Sequence, residues 1–470
     1  MDFEEFRRSG HDFVTWMADY LGQIEGYRVR AKLEPGAILA QLPAEPPHSG
    51  EAMDQVFADF IRILLPGITH WQHPRFLAYF PANSSPPSVL AEMLTATLGA
   101  QCMLWETSPA AAELEQRVME WLGGLVGLGR GFTGSIQDSA SSATLLAIIS
   151  AAERASGGRF SREGLAGGPR LILYCSAEAH SSVEKGARIA GIGAANVRKI
   201  PVDQNGAMIP AALREAIRTD RNSGHVPACI VGCFGTTGIG AIDPIEQLST
   251  IARTEGIYLH VDAAWAGAAL ILPELRGLAA GLDGVDSIVL NPHKWLMTNF
   301  DCSAFFMRQP AELARALSLT PTYLETRAAS SIPEYRDWSI ALGRRFRALK
   351  LWFVLRSYGS EGLRAKIRSD LAATQRLAAL IRSTADFELT SGPNLALLSF
   401  RYAPEGVADL DALNETLLHV VNDGGFTYLT KTRHQGRLVI RISIGQTYTT
   451  WRHVEESWRH IQDCAHKLAR

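Results

Sequence analysis

Between about residue 83 and residue 362 the chain sets short, almost unbroken apolar runs between stretches of helical periodicity. The runs fall at residues 171–174, 229–234, 258–261 and 287–290. Apolar strands alternating with helices imply a largely parallel sheet covered on both faces, hence an α/β fold. Ligands of such a sheet belong in the crevice at the carboxyl ends of its strands. The pattern differs on either side of this block. Residues 1–82 read as helices interrupted at Pro35, Pro43, Pro46, Pro47 and Pro66-Gly67. One helix there carries Phe13, Trp16, Met17, Tyr20 and Leu21, an apolar face that needs a partner surface. Residues 363–470 carry long helical patterns and two strand-like runs, 395–400 and 438–444, which suits a small α+β domain. Three segments are therefore expected: an N-terminal helical segment (1–82), a large α/β domain (83–362) and a small C-terminal domain (363–470).

The composition narrows the class. With 470 residues, 47% hydrophobic and 20% charged, the chain can bury a large core, and a formal net charge of -2 offers no basic field for nucleic acid or anionic lipid. Asp2, Glu4 and Glu5 open the chain without an apolar leader, and no later run reaches membrane-crossing length, so a cytoplasmic enzyme is expected. The six cysteines have neither the density nor the spacing of a disulfide framework. Cys229 and Cys233 lack a second ligand pair and read as buried thiols, and His70 and His73 lack a carboxylate partner, so no metal site is expected. Two short motifs are decoys. Gly191-Ile192-Gly193 follows a helical stretch and lacks the third glycine of a dinucleotide fingerprint. Ser182-Val183-Glu184-Lys185 matches S-x-x-K without the K-T-G that should follow.

The candidate chemistry sits at the strand ends. Val261-Asp262-Ala263-Ala264-Trp265 ends an apolar run in a carboxylate followed by small residues, and Asn291-Pro292-His293-Lys294-Trp295 follows the next run. Taken singly, Asp262 reads as a helix cap and Lys294 as a solvated lysine. Taken together they supply what a pyridoxal 5'-phosphate (PLP) cofactor needs: an amine of depressed pKa for its aldehyde and an acid to keep its ring nitrogen protonated. Ser139-Ala140-Ser141 opens a helical run and offers backbone N–H groups, a helix dipole and hydroxyls to an anion, although serine capping alone explains many such sequences. His180, after the run at 171–174, falls on the same side and could stack on a pyridine ring.

These segments, with His73-Pro74, Tyr79-Phe80-Pro81, Asn299-Phe300-Asp301-Cys302-Ser303, Pro321-Thr322-Tyr323-Leu324 and Leu342-Gly343-Arg344-Arg345-Phe346-Arg347, resemble the aromatic L-amino acid decarboxylase family, the group II PLP-dependent decarboxylases, almost end to end. The resemblance implies a type I PLP fold and a homodimer clasped by its N-terminal helices. It implies that Lys294 bonds the cofactor as a Schiff base, Asp262 pairs with the pyridinium and His180 stacks on the ring. Ser139, Ala140, Ser141 and Asn291 would bind phosphate, with Leu342 and Gly343 arriving from the other subunit. Ala264 would pack under the ring, and Thr236 and His293 would support cofactor and substrate. An aromatic pocket would involve Trp71, Tyr79, Phe80, Phe300, Gly343 and Met103. Ala82 stands where many relatives have threonine and Met103 where an aromatic is frequent, so tryptophan, tyrosine, phenylalanine and DOPA all remain open as substrates. Tyr323 lies in a loop-like stretch running to about residue 333, where a tyrosine can anchor the loop or protonate the substrate carbon, and the resemblance favours the acid. Two other readings are an aromatic aldehyde synthase, disfavoured by the presence of both His180 and Tyr323, and a non-catalytic protein of the same fold, disfavoured by Lys294 and Asp262.

Overall fold

The computed structural model describes residues 1–319 and 333–468, and these form two compact units. The larger comprises Ala82–Leu371 and Ser391–Leu398. Its seven strands are β1 (Thr133–Gln137), β2 (Leu171–Ser176), β3 (Val197–Ile200), β4 (Val226–Cys233), β5 (Tyr258–Asp262), β6 (Ser287–Leu290) and β7 (Ser303–Met307), in the order β1-β7-β6-β5-β4-β2-β3. The pairs from β3 across to β6 are parallel, and β7 pairs antiparallel with both β6 and β1. Every residue of β2 and β6 is buried, as expected of strands covered on both faces. The helix Ala140–Ala155 buries Ala143, Ala147 and Ala151 in the same cluster as Leu173, Val231 and Val289, where small side chains permit close helix–sheet approach.

Charged groups fasten this sheet at two places, one at its β1 edge and one at its middle. At the β1 edge, Glu115 accepts the Ile136 N–H at 2.8 Å and an Arg344 guanidinium N–H at 2.7 Å, and Arg344 also donates to the Ile136 carbonyl at 2.8 Å. Beside the starts of the central strands β5 and β6, the half-buried Arg154 reaches Glu312 at 2.8 Å and Asp286 at 2.7 Å while lying over the Tyr258 ring. Losing one member of such a set strands an uncompensated charge out of water.

The smaller unit comprises Met1–Pro81, Ala372–Thr390 and Ser399–Arg470, so the N-terminal and C-terminal segments fold together rather than apart. Backbone bonds join them directly, for example Val29 N–H to the Gly425 carbonyl at 2.8 Å and Leu77 N–H to the Tyr428 carbonyl at 3.1 Å. The aromatic face of the helix Phe3–Gly22 packs locally, with Phe13 and Trp16 against Phe57 and Trp16 against Phe60. A second sheet has the order β10-β11-β9-β8, with β8 at Phe387–Asn394, β9 at Leu397–Tyr402, β10 at Thr430–His434 and β11 at Arg437–Ser443. β9 and β11 match the two apolar runs. β10 reads Thr-Lys-Thr-Arg-His and lies at the sheet edge, where polar side chains protect an open strand, so it has no apolar signature. The helical stretch Arg347–Ser383 is two helices joined at Gly359, whose φ of 63° breaks the helix.

His260 stands on β5, fully buried, with Nδ1 2.9 Å from Ser287 Oγ. Burial pushes its pKa down from 6.5 to about 4. The unfolded chain therefore takes up the proton first, and the stability tied to neutral His260 is whole above pH 6.5 and is lost as pH falls toward 4. We expect His260→Asn to flatten the fall in unfolding free energy across that window by one proton, roughly 1.4 kcal/mol per pH unit at its steepest. Urea denaturation at several pH values measures it, and an unchanged slope would mean that other groups carry the acid sensitivity.

Candidate active site

Five strand ends converge on one cavity of about 230 Å³ within the larger unit. β5 delivers Asp262 and Ala264; β6 runs into Asn291 and the single helical turn Pro292–Trp295, which carries His293 and Lys294. β1 leads to Ser139, Ala140 and Ser141 at the head of a helix, β2 leads to His180, and β4 leads to Gly235 and Thr236. Phe300 closes part of the wall.

The backbone around β5 and β6 is interlocked. Asp262 Oδ1 accepts the Ala264 N–H at 3.0 Å, and the Ala264 carbonyl accepts the Asn291 N–H at 2.8 Å. Asn83 holds the lysine turn from the other side, its N–H on the His293 carbonyl at 2.7 Å and its side-chain amide on the Lys294 carbonyl at 2.5 Å. Gly235 has a φ of +91°, and a Cβ there would lie 2.5 Å from Ala266 Cβ, so only glycine fits this turn. The turn places Thr236, whose Oγ1 accepts the Ala241 N–H at 2.9 Å.

The electrostatics follow from burial. Desolvation lowers the Lys294 pKa and Asp262 pulls it back up, so the amine is easier to deprotonate than a solvated lysine. Desolvation also lowers the pKa of His180, with Asp262 raising it and Lys294 lowering it further. The Ser182 N–H donates to His180 Nδ1 at 3.2 Å, which leaves the proton of the neutral ring on Nε2. His293 behaves alike: the Cys302 N–H donates to its Nδ1 at 2.9 Å, and burial followed by the Lys294 charge holds its pKa at about 3, so it is a neutral Nε2–H donor at any physiological pH. Its ring lies 4.8 Å from that of Phe300. Cys233 also lines the cavity, but burial keeps its thiol protonated and unreactive.

The residues present fit PLP. An amine stands ready for the aldehyde, a carboxylate for the ring nitrogen and a helix N-terminus for the phosphate, and one amide atom of buried Asn291, Oδ1, has no hydrogen-bond partner among the described residues. Ser139 Oγ also caps its helix by accepting the Ser142 N–H at 3.2 Å, so its hydroxyl serves the fold as well as the cavity wall.

The other expected residues lie elsewhere. Leu342 and Gly343 are exposed and do not line the cavity of their own chain; a Cβ on Gly343 would meet the Gln101 amide at 3.2 Å. Met103 is half-buried, its carbonyl accepting the Arg336 N–H at 3.1 Å, and Ala82 is half-buried beside Asn83. Trp71, Tyr79 and Phe80 belong to the smaller unit. There Trp71 stacks on Tyr79 at 5.8 Å, the Tyr79 and Tyr428 hydroxyls are 3.3 Å apart, and Arg441 lies over Phe80 at 5.3 Å. Tyr323 lies outside the described residues. Sequence reasoning missed Gly235, Thr237, Trp265 and the Asn83 clamp. A glycine and two threonines directly after an apolar run were the available signal for the first two.

Comparison with known proteins agrees with this geometry. Residues 35–403 match the pyridoxal-dependent decarboxylase conserved domain. The chain is 39% identical to the aromatic-L-amino-acid decarboxylase of Rattus norvegicus, covering 100% of this chain and 99% of that one. It is 40% identical to the phenylacetaldehyde synthase of Arabidopsis thaliana, with 100% and 97% covered. Among solved structures, that of Oryza sativa TDC with PLP and tryptamine superposes with a TM-score of 0.97 at 32% identity, covering 100% of this chain and 99% of that one. The chain belongs to the group II PLP-dependent decarboxylases, the family of the aromatic L-amino acid decarboxylases, and is an α/β enzyme that works with pyridoxal 5'-phosphate.

Proposed function

We propose that the enzyme removes the α-carboxylate of an aromatic L-amino acid (tryptophan, tyrosine, phenylalanine or DOPA), releasing the arylalkylamine and carbon dioxide. The observation that carries this reading is the placement of Lys294 and Asp262 in one cavity at the ends of adjacent parallel strands. Aromatic substrates are supported by the names of the relatives and by Phe300 at the cavity wall.

PLP, when bound, supplies an aldehyde for the substrate amine and a ring that accepts the electrons of the broken Cα–carboxylate bond. Lys294, its pKa depressed, would supply the amine that holds the cofactor through its aldehyde. Asp262 would keep a proton at the ring nitrogen, and the helix N-terminus at Ala140 and Ser141 would hold the phosphate together with Asn291. His180 would stack on the cofactor ring and Ala264 would pack under it. His293 presents its Nε2–H without taking up charge. Trp265 and Phe300 add aromatic surface to a lining whose other residues are largely polar, and this chain's part in the reaction would be to orient the substrate's carboxylate bond. Tyr323, assigned from the sequence, donates the proton at Cα. Leu342 and Gly343 complete the site of a second copy of this chain in a homodimer. Their exposure supports that reading, as do the exposed Leu90, Leu94 and Leu98 on the helix Pro86–Leu98.

Three outcomes are expected. First, borohydride treatment of the loaded enzyme fixes the cofactor on Lys294, and Lys294→Ala folds but loses turnover by about 10²–10⁴-fold. Peptide mapping decides, and label on another lysine would end the assignment. Second, the parent forms amine and carbon dioxide from at least one of the four amino acids without taking up oxygen. Tyr323→Phe then slows amine formation by about a hundredfold while oxygen uptake, aldehyde, ammonia and peroxide rise. Aldehyde as the main product of the parent would make it an aldehyde synthase, and an unaffected Tyr323→Phe would reduce Tyr323 to an anchor. Third, mixing inactive Lys294→Ala with an inactive Gly343→Trp variant restores part of the activity, because a hybrid dimer contains one site with both residues intact. No recovery after confirmed subunit exchange would show that each chain completes its own site.

A further inference from the structure

Lys294 rides on a helix of only four residues, Pro292–Trp295. A single turn has no stability of its own, so tertiary contacts must fix where its side chains point. Asn83 holds the turn through the carbonyls of His293 and Lys294, and the Cys302 N–H holds the His293 ring. On the far side the Trp295 indole N–H donates to the Asp370 carboxylate at 2.9 Å. Both residues are buried, Asp370 to 1% exposure, and Asp370 also accepts the Lys366 ammonium at 2.7 Å from one turn earlier on its own helix. The Trp295 ring lies 5.7 Å from Trp265 at 33°, and the Trp265 indole N–H donates to the Gly235 carbonyl at 2.7 Å. Trp265 and Gly235 both line the cavity. Two indoles, each with its N–H engaged, thus join a buried carboxylate to the cavity wall. Packing alone would be served at lower cost by an apolar residue at position 370, since burying a carboxylate carries a desolvation penalty. What the carboxylate adds is a strong, directional acceptor for the residue next to Lys294.

We propose that Asp370 is a positioning residue for Lys294, fixing the Trp295 indole and through it the turn that aims the lysine into the cavity. The proposal depends on Lys294 being the cofactor lysine. Apo-protein is mixed with PLP, and the rate at which borohydride-fixable label appears on Lys294 is followed together with melting temperature, kcat and KM. Asp370→Leu is expected to slow capture and lower kcat by about tenfold, the scale of a lost charged hydrogen bond in the interior, with KM within about twofold of the parent. Asp370→Asn keeps an acceptor oxygen and stays within about threefold of the parent. Trp295→Phe keeps the ring, removes the donor and repeats the Asp370→Leu losses, which keeps the test open if Asp370→Leu does not fold. In the double variant the losses do not multiply, because the two residues act as one unit. Parental capture and kcat in both Asp370→Leu and Trp295→Phe, whatever their melting temperatures, would overturn the proposal, as would multiplying losses in the double variant. A parent that takes no label on Lys294 would instead overturn the functional reading on which the proposal stands.

Discussion

A lysine amine beside a carboxylate loses its proton more easily than a solvated one only where desolvation outweighs their attraction, and the surroundings of Lys294 meet that constraint. Desolvation lowers its pKa while the Asp262 carboxylate works against the shift, so the two groups must share a cavity in which burial outweighs attraction. A parallel sheet with buried strands supplies such a place. Its strand interiors are dry, and its carboxyl ends open together on one side. Adjacent parallel strands then deliver a carboxylate from β5 and an amine from the turn after β6 without either group crossing the core. The two histidines obey the same logic. Each has a backbone N–H on Nδ1, and burial keeps both rings toward the neutral form, so they contribute shape and a directed N–H rather than a second cation beside Lys294.

How much of this was legible depended on whether the signal was local. β6 was visible as an apolar run at its observed limits because it is buried on both faces, and the residues beyond it were visible because a strand end fixes where they go. Ser139, His180, Asp262, Asn291 and Lys294 could all be nominated in that way, and the structure brings them into one cavity. β10 was invisible because an edge strand is polar where it meets water. The pairing of the two chain ends in one unit was also invisible. It is made by contacts such as Arg75 to Glu456 at 3.2 Å, between residues far apart in sequence whose local patterns announce only helices. Asp370 belongs to this second class, since a lone aspartate in a helical stretch looks like any solvated one until Trp295 is seen above it.

The residues proposed for cofactor chemistry and most of those proposed for the aromatic pocket fall in different units. The cavity residues all fall within Ala82–Leu371, whereas Trp71, Tyr79 and Phe80 fall within Met1–Pro81, where they pack among Phe76, Tyr428 and Arg441. Relatives named as a decarboxylase and as an aldehyde synthase match this chain at nearly equal identity, 39% and 40%. The match is full-length in both cases, so overall likeness carries no information about the product. That choice has to sit in a few side chains, and the role proposed for Tyr323 is of that kind, since a group with a transferable proton can change the product without changing the fold.

Substrate preference yields to a similar argument from what position 82 can offer. A site built to bond a ring hydroxyl rejects the ring that lacks it by about 10⁴–10⁵, because its own polar group is then left without a partner, whereas an apolar site tolerates the added hydroxyl with a penalty of only about 10². Ala82 has no polar side-chain atom, and Met103 is a flexible thioether rather than a rigid ring that would fix one aromatic shape. Neither residue supplies the buried polar group on which strong discrimination between phenylalanine and tyrosine depends. The resemblance, rather than any contact in the structure, puts these two residues at an aromatic pocket, and a pocket so lined would choose among rings by volume, which sets the indole of tryptophan apart from the three phenyl-type side chains more sharply than it separates those three from one another.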